Sequence, residues 1–203
     1  PYEILLELCK PRATRKNPPV FHLAQEFFWF NPAKIPNPAQ WVTIERIRVK
    51  DAIEPVWWFS KTERPDASNR KVLSAYSDNM KRLISSGKYN RGKRPSGWDA
   101  SDKWSKDNGG AIPPNFIFDD AEDVLFNLLV ESNTSSNDPY RKEVRKRNQT
   151  AHPAIYPSGL PRFFIEFLTQ EKDVVLDPFA GSNTTGFAAE QLGRQWVAFD
   201  SDK

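Results

Sequence analysis

The chain has 203 residues, 38% of them hydrophobic and 27% charged, with a formal net charge of +3. That is enough chain for one large domain, or for a domain with a smaller lobe. No apolar run approaches the ~20 residues that a membrane-crossing helix needs, and no secretory leader pattern opens the sequence. A single cysteine, Cys9, excludes an intrachain disulfide framework and a cysteine-built zinc site, and two histidines, His22 and His152, argue against a histidine metal centre. These features, with a mean hydropathy of -0.66, describe a soluble, cytoplasmic protein with no metal and no membrane partner. Residue 1 is proline, the one methionine is Met80, and the chain stops at Ser201-Asp202-Lys203 directly after an apolar run; the sequence reads as a fragment, cut at both ends.

In chain order, Tyr2–Lys10 reads as a short helix with Ile4, Leu5 and Leu8 on one face, stopped by Pro11. A basic, proline-rich loop (11–19) precedes the aromatic strand Val20–Phe30, and a second proline-rich stretch covers Asn31–Gln40. Trp41–Lys50 is predicted to be a strand: Val42 and Ile44 alternate with polar neighbours, then Ile47 and Val49 do so in the opposite phase, as if a bulge lay near Arg46. Pro55–Lys61 is a further apolar strand, in which Trp57 and Trp58 must point to opposite faces, with core packing expected for both. From Thr62 to Thr150 apolar runs shorten, and a helix is predicted within Val72–Ser85 through Leu73, Tyr76, Met80, Leu83 and Ile84. The expected organisation is 1–61 as part of the catalytic-half sheet, 62–150 as an inserted recognition lobe, and 151–203 as the start of a cofactor-binding βαβ unit. In the last segment Leu160–Leu168 is a helix with Pro161 near its start, Asp173–Leu176 a buried parallel strand, Ser182–Leu192 a helix ended by Gly193, and Gln195–Phe199 a strand ending at Asp200.

The charge is unevenly distributed. Residues 61–94 carry ten Lys/Arg and three acids, and 81–94 carry six Lys/Arg and no acid. Such a segment fits contact with phosphate, although a solvated face has the same composition. Lys81, Arg82, Arg91, Lys93 and Arg94 are the candidate DNA-binding residues; Trp98 and Trp104, set among lysines, are candidates for base stacking or for packing within the lobe.

The stretch Val174–Asp200 carries the chemistry. Asp177 is placed at the carboxyl end of a parallel strand, where ligands bind in open α/β sheets. Gly181 lets the backbone turn and approach a ligand closely, and Asn183, Thr184 and Thr185 supply caps and donors at the helix start. Asp200 follows Asp177 by 23 positions, at the end of the next strand, where an acid accepts ribose hydroxyls. The G-x-G-x-x-G of dinucleotide folds is absent, and Gly181-Ser182-Asn183-Thr184-Thr185-Gly186-Phe187 lacks the lysine of a P-loop, so phosphate binding is disfavoured. An ordinary strand-to-helix turn remains the plain alternative.

Asp177-Pro178-Phe179-Ala180-Gly181-Ser182 resembles the Asp-Pro-Phe cofactor loop of the DNA amino-methyltransferases that act on N4 of cytosine or N6 of adenine. His152-Pro153-Ala154-Ile155-Tyr156-Pro157, followed by Leu160-Pro161, is similar to the segment that lines their cofactor pocket, and it precedes the loop in the order found when the catalytic half comes first. Phe27–Pro32, Arg46–Ala52, Val56–Thr62, Arg94–Gly97 and Asp107–Asn115 look like stretches of the N4-cytosine restriction-modification subgroup that recognises CAGCTG; the likeness is weakest over 119–150. Position 183 is Asn where many relatives have Gly, and residue 200 is Asp where Glu is commoner.

The resemblance implies a class I methyltransferase α/β (Rossmann-like) fold, S-adenosyl-L-methionine as cofactor, double-stranded DNA as substrate and a restriction endonuclease as functional partner. It implies cofactor contacts from His152, Pro153, Tyr156, Asp177, Phe179, Gly181, Ser182, Asn183, Thr184 and Asp200. Alternatives are N6-adenine as the acceptor, a DNA-binding remnant without catalysis, and a nucleotide-dependent oxidoreductase, which the missing glycines disfavour. The family's Ser/Asp/Asn-Pro-Pro-aromatic motif, which grips the amine and stacks on the flipped base, is not present in full: Asn17-Pro18-Pro19-Val20 lacks the aromatic residue and Ile112-Pro113-Pro114-Asn115 has neither end. The catalytic residues are therefore expected upstream, and the fragment alone is expected to be inactive.

Overall fold

A computed structural model describes residues 2–10, 21–31, 34–87, 105–117, 139–148 and 156–201. Helix α1 (Tyr2–Cys9) leads to strand β1 (His22–Phe30), which pairs antiparallel with β2 (Ile53–Ser60) and, through two residues, parallel with β3 (Phe116–Ile117). The order is β2-β1-β3. Helices α2 (Asp78–Ser86) and α3 (Pro139–Lys146) follow β2 and β3 respectively. Helix α4 (Gly159–Leu168) then leads to β4 (Val174–Asp177), α5 (Thr184–Gln191) and β5 (Gln195–Ala198), with β4 and β5 forming a separate parallel pair.

Helix α4 joins the two sheets because it is apolar on two sides. Phe163 and Phe167 turn to the first sheet and form a cluster with Phe27, around which Trp29, Val56, Trp58, Ala67 and Val72 close. Phe27 meets Phe163, Phe164 and Phe167 edge-on, with centroids 5.1–6.3 Å apart, the geometry that ring quadrupoles favour. Ile165 turns the other way and packs with Ala188, Ala189 and Val175 of the βαβ unit. The C-terminal end of α4 is held by cations, which suit the exposed carbonyls there: Lys71 Nζ and Arg194 Nη2 both donate to Thr169 O, at 2.9 and 3.0 Å.

This packing fixes strand directions. Trp58, opposite Gln25 on β1, meets Phe167 near the end of α4, whereas Phe27, further along β1, meets Phe164 one turn earlier. Strand β1 thus runs antiparallel to α4. Strand β4 also runs back along α4 after the tight turn at 169–173. The carboxyl ends of β1 and β4 therefore lie at the same end of the α4 layer.

Four expectations need correction. Trp41–Lys50 is not a strand. Gln40–Ile44 forms one wide helical turn, Ile47 and Arg48 N–H both donate to Trp41 O, and Arg46 has φ +58°. Local bonds satisfy the backbone there, so no ladder is needed, and the phase slip marks a left-handed residue rather than a bulge. The helix expected within 72–85 begins later: Ser74 bridges Ala111, and Ser77 caps α2 by accepting from Met80 N–H at 3.3 Å. Asn183 does not cap α5 with its side chain. Strand β4 is covered on one face only, by α4 and α5; Val174 and Leu176 are each 59% exposed.

Trp57 and Trp58 do point to opposite faces: Trp58 enters the α4 cluster, and Trp57 Nε1 donates to Glu26 Oε1 at 2.8 Å. Within the stretch expected as an inserted lobe, Ala67 and Val72 join the Phe27 cluster and 116–117 join the sheet. No described helix is long and apolar enough to cross a membrane.

Candidate functional site

The chain leaves β4 at Asp177 and turns through 178–183 before α5 begins. Three bonds fasten this loop to β5: Phe199 N–H donates to Asp177 O at 2.9 Å, Ala180 N–H to Phe199 O at 2.8 Å, and Gly181 N–H to Asp200 Oδ2 at 2.6 Å. The Asp177 carboxylate shapes the loop from inside. Its Oδ1 accepts from Phe179 N–H at 3.0 Å, and its Oδ2 accepts from the Thr185 hydroxyl at 2.6 Å. The Tyr156 hydroxyl lies 2.5 Å from Thr185 Oγ1, a contact in which either oxygen can donate, and donates to Asp177 Oδ2 at 3.4 Å. Burial pushes the Tyr156 hydroxyl above its ordinary value of 10.0, and the Asp177 charge adds to this against a lowering by the Thr185 bond. Tyr156 is therefore a neutral donor at physiological pH.

Two residues of the loop use left-handed backbone. Gly181 has φ +51°, and a Cβ placed there would meet nothing within 4 Å, so open space faces the peptide. Asn183 has φ +60°, and its side chain lies over Gly186. A Cβ on Gly186 would stand 2.3 Å from Asn183 Oδ1, so glycine is needed there for close approach rather than for its torsion angles. Phe179 projects outward, 88% exposed, beside the loop. The result is a tight turn with an acid at each strand end, a free-standing aromatic ring and room in front of a glycine peptide.

The N6_N4_Mtase family, described as DNA methylase, matches residues 12–203. The chain belongs to this family. It is 48% identical over 182 residues to the type II methyltransferase M.PvuII of Proteus hauseri, covering 89% of this chain and 51% of that protein. The chain thus spans about half the length of this curated relative. Shorter matches include M2.LlaDCHI of Lactococcus lactis subsp. cremoris, 44% identical over 52 residues, 26% of this chain and 19% of that protein. Among solved structures, the PvuII DNA methyltransferase (cytosine-N4-specific) aligns with a TM-score of 0.58 and 38% identity over 90% of this chain and 48% of that one. The fold is the class I methyltransferase fold expected from the sequence.

Of the candidate cofactor residues, the structure brings Tyr156, Asp177, Phe179, Gly181, Ser182, Asn183 and Asp200 to one loop and its margins; Thr184 is buried at the start of α5. His152 and Pro153 lie outside the described residues, as do Asn17, Arg91, Lys93, Arg94, Trp98 and Trp104. Lys81 and Arg82 are exposed on α2, and Lys81 pairs with Asp78 at 3.2 Å. Sequence reasoning gave Thr185 a capping role and missed its bond to Asp177. It also passed over Gly186; the paired signal was an Asn three residues before a Gly at a helix start.

Proposed function

We propose that this chain holds the methyl donor of a DNA amino-methyltransferase acting on N4 of cytosine in duplex DNA. The observation that carries the reading is the closure of the Asp177–Asp200 loop through the Gly181 N–H bond at 2.6 Å, in a chain 48% identical to M.PvuII. When bound, S-adenosylmethionine would supply a methyl carbon made electrophilic by its sulfonium. The residues fit such a group: Gly181 leaves space for it, Asp200 offers a carboxylate to ribose hydroxyls, and the exposed Phe179 ring offers a face for the adenine. Asp177, Thr185 and Tyr156 hold the loop in this shape, so little ordering remains to be done on binding. His152, Pro153, Ser182, Asn183 and Thr184 complete the proposed cofactor set. Among the described residues no phosphate cradle is built, which favours a nucleoside donor over a dinucleotide.

Lys81, Arg82, Arg91, Lys93 and Arg94 are proposed to contact duplex phosphates as part of a recognition region within 62–150. The protein acts in the cytoplasm, with a restriction endonuclease of the same specificity as its functional partner. Mass spectrometry of nucleosides from DNA of cells expressing the full reading frame tests the assignment. N4-methylcytosine is expected. N6-methyladenine would move the acceptor to adenine, and the absence of both modified bases would favour a DNA-binding remnant.

A further inference from the structure

The excursion between β1 and β2 has no role in the donor loop, yet it is closely built. Its neck is closed by Asn31 N–H donating to Ala52 O at 2.8 Å, and Lys34 bridges Glu54 at 2.9 Å and Asp51 at 3.5 Å. Beyond the neck the chain makes the turn at Gln40–Ile44 and then runs Arg46-Ile47-Arg48-Val49-Lys50, three cations in five residues. The flanking acids are engaged elsewhere: Glu45 accepts from Gln40 Nε2 at 2.7 Å, and Asp51 faces Lys34. The Arg48 guanidinium sits 4.1 Å over the Trp41 ring, which fixes a long side chain in advance. Arg46 has no ion-pair partner among the described residues, and its φ of +58° sets it at a sharp corner. Ile47 and Val49 are 70% and 91% exposed, so the described chain does not cover the apolar residues between the cations.

The excursion leaves the carboxyl end of β1, which lies at the same end of the α4 layer as the carboxyl end of β4 and Asp177. We infer that Arg46 and Arg48 form a DNA-backbone contact on the donor-loop end of the molecule. They would grip phosphates flanking the target base while Ile47 and Val49 lie against the groove wall. Rigidly presented guanidinium groups suit phosphate geometry, and apolar side chains among cations suit a groove lined by sugars. This inference rests on the proposed action on duplex DNA.

The test is the salt dependence of binding of the full chain to a fluorescein-labelled duplex, followed by anisotropy. Arg46→Gly removes one cation and suits the left-handed backbone, so the loop keeps its shape; Arg48→Gln removes a second and leaves a planar group over Trp41. Each lost phosphate contact should flatten the log–log salt slope by about 0.9, and Arg46→Lys should restore the slope lost in Arg46→Gly. S-adenosylmethionine affinity, measured on the same variants, should stay unchanged. If the parent chain binds duplex and the double variant keeps its slope, the inference fails and the DNA reading stands. If the folded parent chain binds no duplex at low salt, both fail.

Discussion

The Gly181 N–H and the Asp200 carboxylate stand 2.6 Å apart, a charge-assisted bond that ties the loop after β4 to the end of β5. Asp200 Oδ2 thereby positions the loop, and the same carboxylate is the group proposed to meet the ribose hydroxyls of the donor. Asp200→Ala removes both functions and Asp200→Asn keeps an acceptor without charge. With bonds to charged groups contributing about 1.5–3 kcal/mol, Asp200→Ala should weaken S-adenosylmethionine binding at least tenfold by calorimetry. Asp200→Asn should fall between it and the parent.

The contact between Asn183 and Gly186 predicts a coupled pair. Gly186→Ala drives a methyl group into the Asn183 amide and should cost about 1–3 kcal/mol in urea unfolding. Asn183→Gly suits φ +60° and removes a buried Oδ1 that has no hydrogen-bond partner among the described residues, so it should be near neutral. In the Asn183→Gly background the Gly186→Ala penalty should largely vanish. Additive losses would refute the contact.

Tyr156 gives a pH signature. Its folded value is raised above 10.0, so the folded state keeps the proton longer than the unfolded chain does. The stability this provides is complete below pH 10.0 and is lost as pH rises from there through the folded value. Thermal melts should show a decline above pH 10.0 that Tyr156→Phe reduces, alongside a loss of about 1 kcal/mol at neutral pH from the missing hydrogen bond.

Phe27 is the centre of the joint between the first sheet and α4, 3% exposed and ringed by Phe163, Phe164 and Phe167. Phe27→Ala should cost about 3–5 kcal/mol in urea unfolding. Phe27→Leu, which refills much of the volume, should cost clearly less.

The βαβ unit was legible because its signals are local. An apolar run, Asp177-Pro178-Phe179, a glycine turn and a second apolar run each declare themselves within a few residues, and their order admits one topology. Trp41–Lys50 misled because alternation reports burial only when another element supplies a ladder; here Pro38 O and Trp41 O take the N–H groups and the apolar side chains stay exposed. The two-residue β3 has no period to detect and depends on Asn115, whose carbonyl accepts from Phe28 N–H and whose side chain reaches Glu26 O, 89 positions away in sequence. In the site, the acids and Gly181 could be placed from sequence. The Tyr156–Thr185–Asp177 chain could not, because it needs α5 to bring position 185 back over the end of β4.

The central claim is that this chain holds the methyl donor, and titration calorimetry of the full chain with S-adenosylmethionine tests it most directly. The structure predicts saturable binding at one site, lost when Gly181→Val both strains the φ +51° turn and fills the space before it, and no competition by a nicotinamide dinucleotide. Absence of S-adenosylmethionine binding by folded protein, or its displacement by the dinucleotide, would contradict it.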